Sequence, residues 1–197
     1  MKILNFASDF KKVIFPCNIT IGVFDGLHLG HRLILKKLKE KKGLSIVITF
    51  ENHPLDILNP EIKIKTIYNL DEKLELLKSF DIDMVVLIKF SKKFASLSYL
   101  DFLKELKNRF AFKYLVVGDD VKIGKNQEGN KDKIKSLENV LDFKTEFIEK
   151  VKYENKVISS NWIRELIDEK NYSLVSKLLN KKVKKWQKIN QLISLAE

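Results

Sequence analysis

Two histidines, His28 and His31, stand three residues apart in the run Thr20 to Lys36, TIGVFDGLHLGHRLILK, together with Gly22, Gly26 and Gly30. The chain has only three histidines and seven glycines, so this concentration of scarce residues marks the run as a place for chemistry. An apolar strand, a glycine-interrupted turn and an amphipathic helix in that order form a phosphate-binding turn, because the free N–H groups of a helix start attract anionic oxygens. Gly22 lets the chain leave the strand closely, Gly26 permits a positive φ, and Gly30 removes a Cβ where the helix begins. With a helix start near Leu29, both imidazoles project from its first turn toward whatever those N–H groups hold.

Two other readings fit the same residues. His-x-x-His on a helix is half of a zinc site, and a capped helix needs no ligand at all. Zinc would lack partners, since the sole cysteine, Cys17, lies just upstream of the strand.

The pattern Gly-x-Phe-Asp-Gly-x-His-x-Gly-His, formed by Gly22, Phe24, Asp25, Gly26, His28, Gly30 and His31, resembles the amino-terminal motif of bacterial FAD synthetases. These are the FMN adenylyltransferase half of bifunctional riboflavin kinase/FAD synthetases. His-x-Gly-His alone would indicate only the wider nucleotidyltransferase superfamily, and the preceding Phe-Asp-Gly narrows it. Three further segments match in order. Thr49-Phe50-Glu51-Asn52-His53-Pro54 resembles the family's Thr-Phe-x-x-His-Pro. Gly118 to Lys125, with Gly129 beyond, resembles its Gly-x-Asp-Phe-x-Phe-Gly-Lys loop. Ile158 to Arg164 resembles Ile-Ser-Ser-Thr-x-Ile-Arg. Val121 and Ile123 stand where the family usually carries aromatic residues. Asn161 replaces the usual threonine but is itself a competent helix cap.

The resemblance implies transfer of AMP from ATP to FMN, giving FAD and pyrophosphate. It also implies an α/β fold with the Rossmann-like, doubly wound parallel sheet of the HxGH nucleotidyltransferases, with room for a small inserted flavin-binding lobe. His31 would act on transition-state charge, His28 on the ATP phosphates and Arg164 on the pyrophosphate. Gly22, Phe24, Asp25, Gly26, Gly30, Ser159 and Ser160 would hold ATP. Thr49, Asn52, His53, Pro54, Asp120 and Val121 would hold flavin. Mg²⁺ would arrive on the phosphates and, keeping most of its waters, needs few protein ligands; Asp25 and Asp120 are the carboxylates to consider, and no resident metal site is expected. A nucleotidyltransferase for another phosphorylated acceptor, or a non-catalytic nucleotide- or flavin-binding relative, is the alternative reading.

Periodicity independently supplies the elements that must position these residues. Strands are expected at Ile19 to Phe24, Ser45 to Phe50, Asp83 to Lys89 and Tyr114 to Val117. Helices are expected from about Leu29 to Lys42, Asn69 to Ser79 and Tyr99 to Phe110, and Phe143 to Ile148 with Val151 to Val157 reads as a terminal hairpin or edge. Alternation of this kind predicts a parallel sheet whose ligands bind at the carboxyl ends of its strands, where the motifs fall. Phe90, Phe94, Phe102, Phe110 and Phe112 could line an aromatic flavin pocket, but at this spacing they read first as core, and Trp162 reads as a packing residue.

The 197 residues suffice for one such domain, 1–182, followed by a basic helical tail, 183–197. They leave no room for a riboflavin kinase half, so a separate kinase is the expected source of FMN. No run is apolar and long enough to cross a membrane, Met1 to Phe15 lacks the form of a signal peptide, and a lone cysteine suits a reducing, cytoplasmic setting. The net charge of +11 comes almost entirely from lysine, with only Arg32, Arg109 and Arg164 as arginines. Arginine is the usual reader of bases and phosphates, so nucleic acid is not the expected partner, and the basic run Lys177 to Lys188 reads as a solvated helix.

Overall fold

The structure is a computed structural model describing residues 1–8, 12–62 and 64–180. Six parallel strands form its sheet: β1 (Lys2–Asn5), β2 (Val13–Ile21), β3 (Leu44–Phe50), β4 (Met84–Ile88), β5 (Phe110–Gly118) and β6 (Lys144–Ile148). They lie in the order β1-β4-β3-β2-β5-β6. The chain winds outward from β2 through β3 to β4, then crosses back to place β5 on the other side of β2. The order therefore reverses between β2 and β5, and ligands of open α/β sheets bind above such a reversal.

Alternation along the strands explains why both faces are covered. Ile46, Ile48, Leu115 and Val117 point into a core closed by α5 (Tyr99–Arg109) and α6 (Lys131–Ser136). Val47, Val85 and Val116 point the other way, toward α1 (Leu29–Lys39) and α3 (Leu70–Lys78). A capping box between Asn69 and Glu72 fixes the start of α3. The third cluster joins α7 (Ser160–Asp168) to α8 (Tyr172–Leu179), burying Trp162, Ile163 and Leu178 against Ile67.

The expected strands and helices are all present, with informative differences at their edges. The central strand starts earlier, at Val13, because a register shift around Pro16 absorbs the missing donor and leaves Ile14 and Phe15 exposed. It also ends at Ile21, so Gly22 to Phe24 belong to the turn. Lys144–Ile148 is not the first arm of a hairpin but adds to β5 in parallel, while β7 (Lys152–Tyr153) and β8 (Lys156–Val157) form their own antiparallel ribbon. Two short helices, α2 (Pro54–Leu58) and α4 (Lys92–Ala95), touch each other above the strand ends. Cys17 lies buried in the central strand, which pushes its thiol up to about 11. The expected tail, 183–197, and most of the basic run lie outside the described residues. No helix among the described residues is long and apolar enough to cross a membrane.

Candidate active site

A cleft of about 970 Å³ opens over the carboxyl ends of the strands at the reversal between β2 and β5. That volume is at the upper end for a small-molecule site and can take two ligands side by side. One wall is the turn after β2, with Gly22, Phe24, His28, Gly30 and His31; the facing wall is the loop after β5, with Asp120, Val121 and Ile123. Pro54 and Leu58 of α2, Phe90 and Phe94 around α4, and Ser159 and Ser160 at the head of α7 complete it.

The turn is held in an uncommon backbone shape. Phe24 (φ 52°), Gly26 (φ 84°) and Leu27 (φ 44°) all lie in the left-handed region, and a Cβ at Gly26 would approach the Ile67 side chain to 2.8 Å. For Phe24 and Leu27, which have side chains, that conformation costs about 1 kcal/mol each. Burial of both and a hydrogen bond from Arg32 Nε to the Leu27 carbonyl hold them there.

His28 is not in the first turn of α1 but is its N-cap: its Nδ1 accepts the His31 N–H at 3.4 Å. An accepting Nδ1 leaves the proton of the neutral ring on Nε2. The two imidazoles stack at 3.7 Å between centroids, and His31 also meets the edge of Phe24. Burial holds His28 down to about 4, against the opposing pull of Asp25 and Asp120. His31 is pushed well below its ordinary value by burial and by neighbouring His28 and Lys73. Both rings are therefore neutral at physiological pH in the unliganded chain, and they present N–H dipoles rather than full charges.

Arg164 is placed beside the turn but outside the cleft lining. Its Nε donates to the Lys65 carbonyl, one terminal nitrogen to Asn161 Oδ1 at 2.6 Å, and the other to Asp25 Oδ2 at 2.6 Å. Asp25 Oδ1 accepts the Ile67 N–H, and Ser160 Oγ donates to the Asp25 carbonyl. Asp25 and Gly26 thus sit behind the lining, and Asp25 ties α7 to the turn. Ser159 caps α7 by accepting the Trp162 N–H.

Thr49, Asn52 and His53 are likewise set back from the cleft. Buried Thr49 donates its hydroxyl to the Val23 carbonyl, and Asn52 pairs with the backbone of Phe90. His53 caps α2 by accepting the Leu55 N–H. The phenylalanines divide: Phe90, Phe94 and Phe102 line the cleft, with Phe50, Phe90 and Phe94 in mutual edge contacts, whereas Phe110 and Phe112 are wholly core.

Asp120 and Glu149 are the carboxylates among the lining residues, and Asp120 pairs with Lys150 at 2.9 Å. Both oxygens of Asp25 are already spent, so of the two carboxylates considered for Mg²⁺ only Asp120 faces the cleft.

Sequence reasoning does not single out Lys73. Its ammonium lies under the cleft, donating to the carbonyls of Val23 and Phe50 and to Thr49 Oγ1. A signal is present all the same: Lys73 occupies the apolar stripe that runs through Leu76 and Leu77 of α3.

Residues 11–162 match the FAD synthetase family. A bifunctional riboflavin kinase/FMN adenylyltransferase of Buchnera aphidicola subsp. Schizaphis graminum is 34% identical over 187 residues, which is 92% of this chain and 60% of that protein. One from Haemophilus influenzae is 29% identical over 186 residues, again 92% of this chain and 60% of the relative. The chain spans about three fifths of the length of these relatives. Among solved structures, a Streptococcus pneumoniae protein named for macrolide efflux superposes with a TM-score of 0.78 at 26% identity, covering 92% of this chain and 62% of that one. A pantoate-beta-alanine ligase from Francisella tularensis shares the fold, with a TM-score of 0.52 at 15% identity, covering 91% of this chain and 85% of the ligase. With the turn, the cleft and the segment match in agreement, this chain belongs to the FAD synthetase family.

Proposed function

We propose that the protein is an FMN adenylyltransferase: an oxygen of the FMN phosphate attacks the α-phosphorus of ATP, the bond from that phosphorus to the bridging oxygen of the β-phosphate breaks, and FAD and pyrophosphate leave. The observation that supports this reading is one cleft holding both a strand-to-helix turn with a stacked histidine pair and an aromatic wall of Phe50, Phe90 and Phe94. The nucleophile is already an anion near neutral pH, so catalysis reduces to alignment and charge stabilisation.

In this reading His28 Nε2–H and the imidazole of His31 donate to phosphate oxygens, and Ser160 and the backbone at Gly22 and Gly30 bound the nucleotide. Asp25 keeps the turn in shape and holds Arg164 next to it, so Arg164 reaches the pyrophosphate only by releasing one of its present partners. On the flavin side Pro54, Val121 and the aromatic wall make the contacts, while Thr49, Asn52 and His53 hold those walls in place. Mg²⁺ arriving with ATP would supply neutralisation of phosphate charge, and Asp120 and Glu149 are the lining carboxylates that would hold it. FMN would be supplied by a riboflavin kinase.

The test is FAD formation from FMN, ATP and Mg²⁺, followed by chromatography. Val121 and Ile123 favour one second reading, a phosphorylated acceptor other than flavin, so other acceptors run in parallel. ATP consumption with one of those and no FAD overturns the flavin assignment.

A further inference from the structure

Lys73 is 8% exposed, yet its ammonium meets only neutral acceptors: the Phe50 carbonyl at 2.9 Å, the Val23 carbonyl at 3.3 Å and Thr49 Oγ1 at 3.3 Å. No carboxylate among the described residues lies within salt-bridge distance of it. The acidic group acting on it is Asp25, already paired with Arg164 at 2.6 Å. The other titratable groups facing it are His31 of α1 and His53 at the head of α2. A buried cation without its own counter-ion costs free energy to keep, and an apolar side chain could fill the same space. Its acceptors give a reason for it. Phe50 ends β3 and Val23 lies in the turn just past the end of the adjacent strand β2, and both line the cleft directly above.

We propose that Lys73 is a positioning residue that ties the turn after β2 to the end of β3 from below and, through its unbalanced charge, makes the cleft select phosphate-bearing ligands over their neutral counterparts. It touches no ligand. It acts through the floor it holds and through a field that water screens little, because the group is enclosed. This rests on the cleft being the ATP and FMN site. It adds to that reading a basis for preferring FMN to riboflavin and ATP to adenosine. Burial holds the ammonium down to about 8, so the selectivity is pH-dependent in the accessible range.

The experiment compares dissociation constants for FMN, riboflavin, ATP and adenosine at pH 7 and pH 9, using the full chain, Lys73→Met and Lys73→Arg. Ionisation of the flavin ring is common to FMN and riboflavin and cancels in their ratio. In the unmutated chain the preference for the phosphorylated ligand falls several-fold between the two pH values. In Lys73→Met it is lower by about tenfold at pH 7 and flat with pH, with riboflavin and adenosine weakened far less than FMN and ATP as the floor loosens. In Lys73→Arg the preference persists at both. Equal weakening of charged and neutral ligands in Lys73→Met means a purely structural role and overturns the proposal, as does no change at all. If Lys73→Met does not fold, the unmutated chain decides: a preference unchanged from pH 7 to pH 9 overturns it. Ligand binding without FAD formation would count against the adenylyl-transfer reading alone, whereas binding of neither ATP nor FMN overturns both.

Discussion

Asn52 holds Phe90 by both ends of its side-chain amide: Nδ2 donates to the Phe90 carbonyl at 3.1 Å, and Oδ1 accepts the Phe90 N–H at 2.9 Å. The side chain thereby does the work of one more residue of β3, extending strand-like pairing past the ends of β3 and β4. Phe90 is fixed at the point where its ring joins the aromatic wall of the cleft.

Asn52→Ala removes both bonds. Each is worth about 1 kcal/mol net, so release of Phe90 should raise the KM for FMN by up to about tenfold and leave the KM for ATP unchanged. Steady-state kinetics with each substrate varied in turn checks this. Equal changes in both constants would show that the pairing serves the fold alone.

His31 is half-buried and packs on His28 and Phe24, so truncating it removes packing as well as a donor. His31→Ala should lower kcat by about 10²- to 10³-fold, the range for losing one donor to a charged transition state. It should also lower Tm, whereas His31→Gln should recover stability without recovering turnover. Near-normal turnover in both variants would remove His31 from the chemistry.

Acid should destabilise the unliganded protein through its histidines. His28 has a folded value of about 4 against an ordinary 6.5, so between those values the unfolded chain binds more protons, and stability is lost as pH falls through that window. The full extent is about 3 kcal/mol for His28, with His31 adding in the same direction. Urea unfolding at pH 7 and pH 4.5 should show the advantage of the unmutated chain over His28→Gln shrinking with acid. Pyrophosphate, which stabilises protonated imidazoles, should reduce the acid loss.

Asp25 is 6% exposed and anchors three groups: Arg164, the Ile67 N–H and, through its carbonyl, Ser160. Asp25→Ala leaves Arg164 without its carboxylate, and breaking a buried pair from one side costs about 3–5 kcal/mol. Chemical denaturation should register that loss, and an unchanged midpoint would mean that α7 is held to the turn by its apolar contacts alone.

The parallel sheet is legible because its central strands are short apolar runs separated by helical periods, and each motif comes directly after a strand. The features that escape depend on tertiary placement. Phe90 and Phe110 are the same residue type at comparable spacing, but Phe90 lies past the carboxyl end of β4 and faces the cleft, whereas Phe110 begins β5 at the opposite end of the sheet. Phe24 and Leu27 adopt left-handed conformations enforced by surrounding packing and by the Arg32 hydrogen bond to Leu27. Lys73 stands in the apolar stripe of α3, which marks it for burial, but nothing local shows that the turn after β2 and the end of β3 await its ammonium. Arg164 is marked by its motif, but its engagement with Asp25, across a separation of 139 residues, is spanned by no local pattern.

Cys17 is the only thiol in the chain, and its burial in the central strand, with a raised ionisation threshold, leaves it unreactive toward sulfhydryl reagents in the native state. The protein therefore accepts a single spectroscopic label without any background cysteine having to be removed. A Ser96→Cys substitution on the exposed rim of the cleft would carry a fluorophore that reports ligand entry in real time, with native Cys17 silent until the fold opens.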